Sequence, residues 1–293
     1  MTELAKDGPN AQQIEYWNEV SGKRWVEMGD VIDAQIAPLG EVAMDRAGLQ
    51  AGERVLDIGC GCGQTSLELA SRVGERGSVL GLDISAPMLD RARERAGEAG
   101  VNNVSFLQAD AQTHGFDASK EAGYDLLFSR FGVMFFSSPV EAFANLMSAL
   151  RPGGRVTFLC WQRLDLNPWM HLPIMAAAKH IPPSGPPPEP NAPGPFAFAD
   201  QKRVEGILSE SGFQNIGHES LERDLLVGGG RSLDDTVEFL AQLGPAGALL
   251  RDASDELRSN VMSEIQETIK PFHDEGGVRM PSATWIVSAE RPI

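Results

Sequence analysis

Between residues 54 and 161 short apolar runs alternate with stretches in which apolar positions recur every three or four residues. The runs lie at 54–58, 78–84, 104–108, 124–128 and 155–161. Most are near-continuously apolar, the pattern of parallel strands buried on both faces. Val140, Phe143, Met147 and Leu150 repeat at helical spacing, and Arg151-Pro152-Gly153-Gly154 predicts a sharp stop to that helix. Such alternation, with right-handed crossovers, gives an open doubly wound α/β sheet. Ligands of these sheets bind beyond the carboxyl ends of the strands, at the topological switch point.

The pattern changes after Trp161. Residues 181–196 read IPPSGPPPEPNAPGPF, which predicts an extended, semi-rigid connection or lid loop. Asp200 is placed to cap a helix that turns Val204, Ile207 and Leu208 inward and ends at Gly212. Ser232 with Asp235 resembles a capping box that opens a helix through Leu243. Leu257, Val261, Ile265 and Ile269 mark one face of a further helix, and a last β-like run spans 283–289.

Composition narrows the partners. With 25 basic against 41 acidic side chains, the 293-residue chain has a net charge of −16. Its surface repels phosphate backbones and anionic lipid, so nucleic acid is not expected as a partner. The N-terminus has no apolar signal core, and no run approaches the roughly 18 apolar residues of a membrane span, so a soluble, cytoplasmic protein is expected. Three cysteines, with Cys60 and Cys62 two positions apart, make no disulfide framework and fit a reducing compartment. No Cys/His set completes a tetrahedral metal site, and no obligatory protein partner is evident.

The chemistry concentrates in Val55-Leu-Asp-Ile-Gly-Cys-Gly-Cys-Gly-Gln64, a strand that runs into a glycine-rich turn. A dinucleotide fingerprint requires G-x-G-x-x-G, but the third position is Gln64 counted from Gly59 and Ser66 counted from Gly61. A phosphate loop requires Gly-Lys-Ser/Thr, and no lysine lies in the turn. What remains is Asp57-x-Gly59-x-Gly61-x-Gly63, with Cys60 inside it. A carboxylate at that strand end is awkward for a pyrophosphate and suits a ligand carrying an ammonium or sulfonium. Gln64 and Thr65 open the next helix, where free backbone amides are placed to meet a carboxylate.

The stretch VLDIGCGCGQTSLELA resembles the first motif of class I S-adenosyl-L-methionine-dependent methyltransferases, and the later strands keep the pattern. GSVLGLDIS ends at Asp83-Ile84, where the family places an acid on both ribose hydroxyls. QADAQ carries Asp110 and Ala111, where it commonly reads the adenine amino group. YDLLFSRFGVMFF and LRPGGRVTFLCW resemble its fourth and fifth strand motifs. The blocks YWN…W and FGVMFF…CW…NPW are similar to bacterial small-molecule enzymes related to the quinone C-methylating group.

The resemblance implies a Rossmann-like, doubly wound sheet of seven strands with an antiparallel last pair at 213–227 and 283–290, and a helical cap. It divides the chain into an N-terminal helical lid (1–50), a cofactor-binding core (51–162), and a segment (163–293) holding the proline-rich loop, the end strands and the cap over an acceptor pocket. In the lid, Trp17 and Trp25 are the residues to fold over the sulfonium side.

Several residues carry two readings. Asp57 either serves the ligand or anchors the turn, and Asp83 either binds ribose or caps the helix that follows. Met88 fits the core or an adenine contact. Arg130, directly after the fourth strand, is a candidate to face the methionine end of the cofactor. Phe131, Met134, Phe135, Trp161 and Trp169 are expected to wall the acceptor pocket with apolar surface. A phenolic acceptor, with a pKa near ~10, is helped by a general base, for which His171 is the best-placed candidate, its other reading being a hydrogen-bonded structural histidine. The implied activity is methyl transfer to a small, fairly apolar acceptor through O, N, S or C. The alternatives are a non-catalytic protein that binds the cofactor or its homocysteine product, and a nicotinamide-dependent oxidoreductase.

Overall fold

The apolar runs pair as their alternation predicts. The computed structural model describes residues 4, 8–116, 123–182, 189, 191–251 and 253–293. Helices α1 (Ala11–Glu15), α2 (Ser21–Glu27) and α3 (Gly29–Arg46) precede the sheet, with one π-helical turn, Tyr16–Val20, between the first two. The alternating core follows: β1 (Arg54–Ile58), α4 (Gln64–Val73), β2 (Ser78–Asp83), α5 (Ala86–Ala99), β3 (Val104–Gln108), β4 (Tyr124–Arg130), α6 (Pro139–Ala149) and β5 (Leu150–Trp161). Then come α7 (Pro168–Ala178), α8 (Gln201–Glu210), β6 (Gln214–Val227), α9 (Leu233–Gln242), α10 (Gly244–Leu250), α11 (Asp255–Ile269), β7 (His273–Asp274) and β8 (Gly277–Glu290).

The sheet runs β3-β2-β1-β4-β5-β8-β6, and the two-residue β7 pairs with β8. β1 to β5 are mutually parallel, whereas β8 lies antiparallel between β5 and β6. Seven long strands thus form the Rossmann-like sheet that the sequence led us to expect. Its driving force is visible in the central strands, where Leu56, Leu126, Leu127, Phe128, Phe158 and Leu159 have no accessible surface. Each such side chain contributes about 1.5–3 kcal/mol by leaving water. Strand order reverses direction at β1 and β4, which puts the switch point at their carboxyl ends.

Several element boundaries differ from expectation, among them those of β5, β8 and the helix opened by Ser232. β5 begins at Leu150, because α6 stops at Ala149 and the chain enters the sheet at once, with Leu150 beside Tyr124. The Pro152-Gly153-Gly154 stretch forms the irregular start of that strand, where the register against β4 shifts and Gly153 takes φ +70°. β8 begins at Gly277 and pairs with β6 out to Val227↔Val278. The helix opened by Ser232 ends at Gln242, and Gly244, at φ +66°, starts the separate α10.

The predicted caps form. The Ser232 hydroxyl accepts the Asp235 amide and donates to the Asp235 carboxylate. Much of the proline-dense run, 183–188 and 190, lies outside the described residues, while the Gly194 amide donates to the Met134 carbonyl and ties the end of that run to the switch-point loop. No helix among the described residues is long and apolar enough to cross a membrane.

Asp200 offers a clean test of local stability. Its carboxylate accepts the amides of Lys202 and Arg203 at 2.8 and 3.2 Å and sits exposed at the start of α8. Asp200→Ala is expected to lower unfolding stability by about 1 kcal/mol with an unchanged urea slope, and Asp200→Asn to recover most of it. Equal loss in both variants would assign the effect to charge rather than to the cap.

Candidate functional site

The site is built where two backbone segments nearly touch. Ser129 on β4 donates its hydroxyl to the Ile58 carbonyl of β1 at 2.7 Å and accepts the Gly132 amide at 3.2 Å. A Cβ on Gly59 would lie 2.8 Å from the Gly132 Cα, so only glycine allows this approach. Gly59, Gly61 and Gly63 all have positive φ, the conformation that turns the chain sharply from β1 into α4. A Cβ on Gly61 would meet Met88 Cε at 2.9 Å. Met88 is buried and also lines the cavity.

A cavity of about 240 Å³ opens above this turn. Gly59, Cys60, Gly61, Gln64, Thr65, Asp83, Ile84, Met88, Asp110, Ala111, Arg130 and Trp25 all border it. The structure thus brings together most of the residues singled out in the sequence. Asp57 and Gly63 are not on its wall. Gly63 packs against Ala92 of α5 and opens α4. Asp57 is fully buried behind the turn, where one carboxylate oxygen accepts the Ser66 hydroxyl at 2.6 Å and the other, Oδ1, is buried without a partner. Burial raises its pKa to about 7, opposed by the Ser66 hydrogen bond and the Arg130 charge and aided by Asp83.

Asp83 closes the end of β2. Its two oxygens accept the Gly61 and Ser85 amides, each at 2.8 Å. Burial pushes this carboxyl up, and the amides of Ser85, Gly61 and Ile84 pull against that push. Ser85, not Asp83, is the N-cap of α5. Asp110, past β3, is likewise buried; it accepts the Gln112 amide and the Asn10 side chain. Cys60 borders the cavity as a buried thiol whose pKa burial raises well above its usual value, which disfavours a thiolate nucleophile there.

Arg130 extends from β4 beneath α3. Its guanidinium donates to Gln64 and to the Asp33 carboxylate at 2.9 Å, and Arg95 of α5 holds the other Asp33 oxygen at 2.7 Å. Asp33 therefore fixes the direction of Arg130 toward the start of α4. The N-terminal helices lie over this side. Trp17 meets Trp25 and Phe135 edge to face at 5.6 and 5.4 Å. The Asn18 amide bridges the Ile84 carbonyl and the Ala86 amide, and the Ser85 hydroxyl donates to the Trp17 carbonyl.

The opposite wall is apolar. Phe131 stacks on Trp161 at 4.1 Å with 3° between planes, and Trp161 meets Trp169 at 5.3 Å. Phe131 takes φ +63°, a left-handed conformation that costs a phenylalanine on the order of 1–3 kcal/mol and that the packed surroundings hold in place. Met134, Phe135, Met170 and, from α9, Phe239 complete the wall. His171, the expected base, is not among the residues that border the cavity, although its neighbours Trp169 and Met170 are. Sequence reasoning missed Asn10, Asp33, Gln35 and Ile36, all of which line the cavity. Ile32, Ile36 and Leu39 at helical spacing announce α3, but nothing in that pattern separates Asp33 from an ordinary surface acid.

The donor set fits S-adenosyl-L-methionine. A cationic ligand with two hydroxyls matches a rim that, among the described residues, holds Asp33, Asp83 and Asp110 against the single cation Arg130.

Comparisons with known proteins agree. Residues 55–154 match the family model of a methyltransferase domain. The aklanonic acid methyltransferase DauC of Streptomyces sp. (strain C5) is 40% identical over 121 residues, 41% of this chain and 54% of that protein. The chain therefore spans about half the length of that relative. The ubiquinone/menaquinone biosynthesis C-methyltransferase UbiE of Yersinia pestis (strain Pestoides F) is 26% identical over 227 residues, 74% of this chain and 89% of the relative. Phosphoethanolamine N-methyltransferase 2 of Haemonchus contortus, solved with S-adenosyl-L-methionine, shares the fold with a TM-score of 0.53 at 19% identity, over 87% of this chain and 53% of that one.

The raised pKa of Asp57 makes stability depend on pH. Between the ordinary carboxylate pKa, about 4, and about 7 the folded chain keeps a proton that the unfolded chain has released. This contribution is fully present below about pH 4 and is lost as pH rises through about 7. Asp57→Asn cannot ionise, so the stability of the protein relative to this variant should fall across that window in urea melts. Parallel curves would show that Asp57 keeps an ordinary pKa.

Proposed function

We propose, from the match of residues 55–154 to a methyltransferase domain, that the chain is a class I S-adenosylmethionine-dependent methyltransferase that transfers the cofactor's methyl group to a small, fairly apolar acceptor. One observation carries this reading: a single cavity at the switch point joins an acidic, glycine-lined half to a half walled by stacked aromatics. In the first half Asp83 takes the ribose hydroxyls, and Asp110 with Ala111 takes the adenine edge, flanked by Ile84 and Met88. The amides at Gln64 and Thr65, with Arg130, face the carboxylate end, and Trp25 covers the sulfonium side. Gly59, Cys60, Gly61 and Gly63 shape the turn, with Asp57 anchored behind it. Residues 1–50 act as the lid, 51–162 as the cofactor-binding core and 163–293 as the cap.

When bound, the cofactor supplies an electrophilic methyl group on a positive sulfur, open to in-line attack. The chain's own part is to align the acceptor and to exclude water, and positioning alone is worth roughly 7–11 kcal/mol. Among the described residues bordering the cavity there is no histidine, lysine or tyrosine. The reading therefore favours an acceptor that arrives already nucleophilic, such as an acidic phenol or an enol. The parallel Phe131–Trp161 pair suits a flat ring, in keeping with the quinone biosynthesis that UbiE is named for.

The test is incubation with methyl-labelled S-adenosylmethionine and a panel of hydroxylated quinones and acidic phenols, alongside a metabolite extract. One apolar labelled product with an equal amount of S-adenosylhomocysteine is expected. Cofactor binding without transfer to any acceptor would favour the non-catalytic reading, and absence of binding would overturn the cofactor assignment.

A further inference from the structure

Asn10 stands at the N-cap of α1, yet its side chain makes no capping bond. An asparagine there ordinarily accepts an amide of its own helix. Here the amide reaches across the chain instead. Its nitrogen donates to Asp110 Oδ1 at 2.8 Å, and its oxygen accepts the Ser137 amide at 3.0 Å. Asn10 is buried and borders the cavity. The two partners come from different parts of the sheet edge, one past β3 and the other past the loop that follows β4. Both join a wider polar cluster, because Gln112 accepts the Ser138 amide and the Ser137 hydroxyl. Asn10 is thus the link through which the first helix reaches the acid placed at the adenine end.

We propose that Asn10 is a positioning residue that latches the N-terminal segment over the cavity and sets how long the cofactor is retained. The inference rests on the cofactor reading above. A carboxylate has about four acceptor sites. Asp110 has three donors in the structure, namely the Gln112 amide, the Asn10 side chain and the Thr113 hydroxyl, which leaves one site open. The same carboxylate can therefore hold Asn10 and an adenine amino group together. Occupancy of the adenine end and closure of the lid then support each other, since each orders a carboxylate that the other uses. The second attachment, Asn18 on the turn between β2 and α5, leaves the segment hinged when Asn10 is lost, so release of the first helix need not unfold the sheet.

The test uses the full chain and S-adenosylhomocysteine as the probe, with the dissociation rate read from tryptophan fluorescence after displacement. Asn10→Ala should speed release about tenfold or more, the effect of losing one charge-assisted hydrogen bond, and should leave the ligand-free melting temperature within a few degrees. Asn10→Asp should speed it further by setting two carboxylates face to face, and Asn10→Gln, which keeps both groups on a longer stem, should fall between the parent chain and Asn10→Ala. Unchanged release in Asn10→Ala, or lower melting temperatures with release unchanged, would overturn the latch and leave Asn10 a structural residue. Failure of the unaltered chain to bind the probe would instead strike the cofactor reading itself.

Discussion

The hydrogen bond from the Gly61 amide to the Asp83 carboxylate organises the rest of the site. It ties the turn after β1 to the end of β2, and so holds open the gap at the switch point. Two conditions make it possible. Position 61 takes φ +54°, a conformation that favours glycine, and a Cβ there would also push the end of the Met88 side chain aside. Asp83 must also remain available although buried, which the Ser85 amide on its other oxygen helps to secure. The same close packing recurs on the other side of β1, where Gly59 and Gly132 meet backbone to backbone. The cavity exists because the chain can approach itself this closely without filling the space above.

Polar groups and aromatics divide the work on the two sides of that gap. Asp33 bridges Arg95 and Arg130 and so couples the long helix α3 to the start of α4. All three side chains are shielded from solvent to a degree that gives the network more weight than a surface pair. Facing it, the strained backbone at Phe131 turns that ring flat onto Trp161. The N-terminal helices connect the halves, because Arg24 of α2 donates to the Gln242 carbonyl at the end of α9 while Trp17 packs on Phe135. The N-terminal helices and the end of α9 are therefore in contact beside the cavity.

The central sheet was readable because buried parallel strands leave long apolar runs and the intervening helices repeat every three to four residues. Boundaries were less readable where chemistry and pattern conflict: the Pro152-Gly153-Gly154 stretch has the composition of a break yet enters the sheet through an irregular pairing. The glycine turn and the acids at 57, 83 and 110 could be placed at strand ends by their spacing alone. Whether an acid faces the cavity or stands behind it could not, and Asp57 and Asp83 divide on that point. Asn10, Asp33 and Gln35 were invisible for another reason. Their partners lie far along the chain, and a polar residue in a helix carries no sign of the partner that tertiary packing brings to it. His171 shows the converse, since proximity in sequence to Trp169 and Met170 suggested a place at the site, yet it is not among the residues that border the cavity.

The account depends on Asp83 more than on any other residue, because that carboxylate both sets the turn and, in the proposed reading, receives the ribose. Calorimetric titration of S-adenosylhomocysteine into the parent chain, Asp83→Asn and Asp83→Ala tests it directly. Each charge-assisted bond is worth about 1.5–3 kcal/mol. Asp83→Ala should therefore weaken binding at least tenfold, and Asp83→Asn, which keeps an acceptor but not the charge, should lie between. Affinity unchanged in both variants, with folding intact, would contradict the assignment of this cavity to the cofactor.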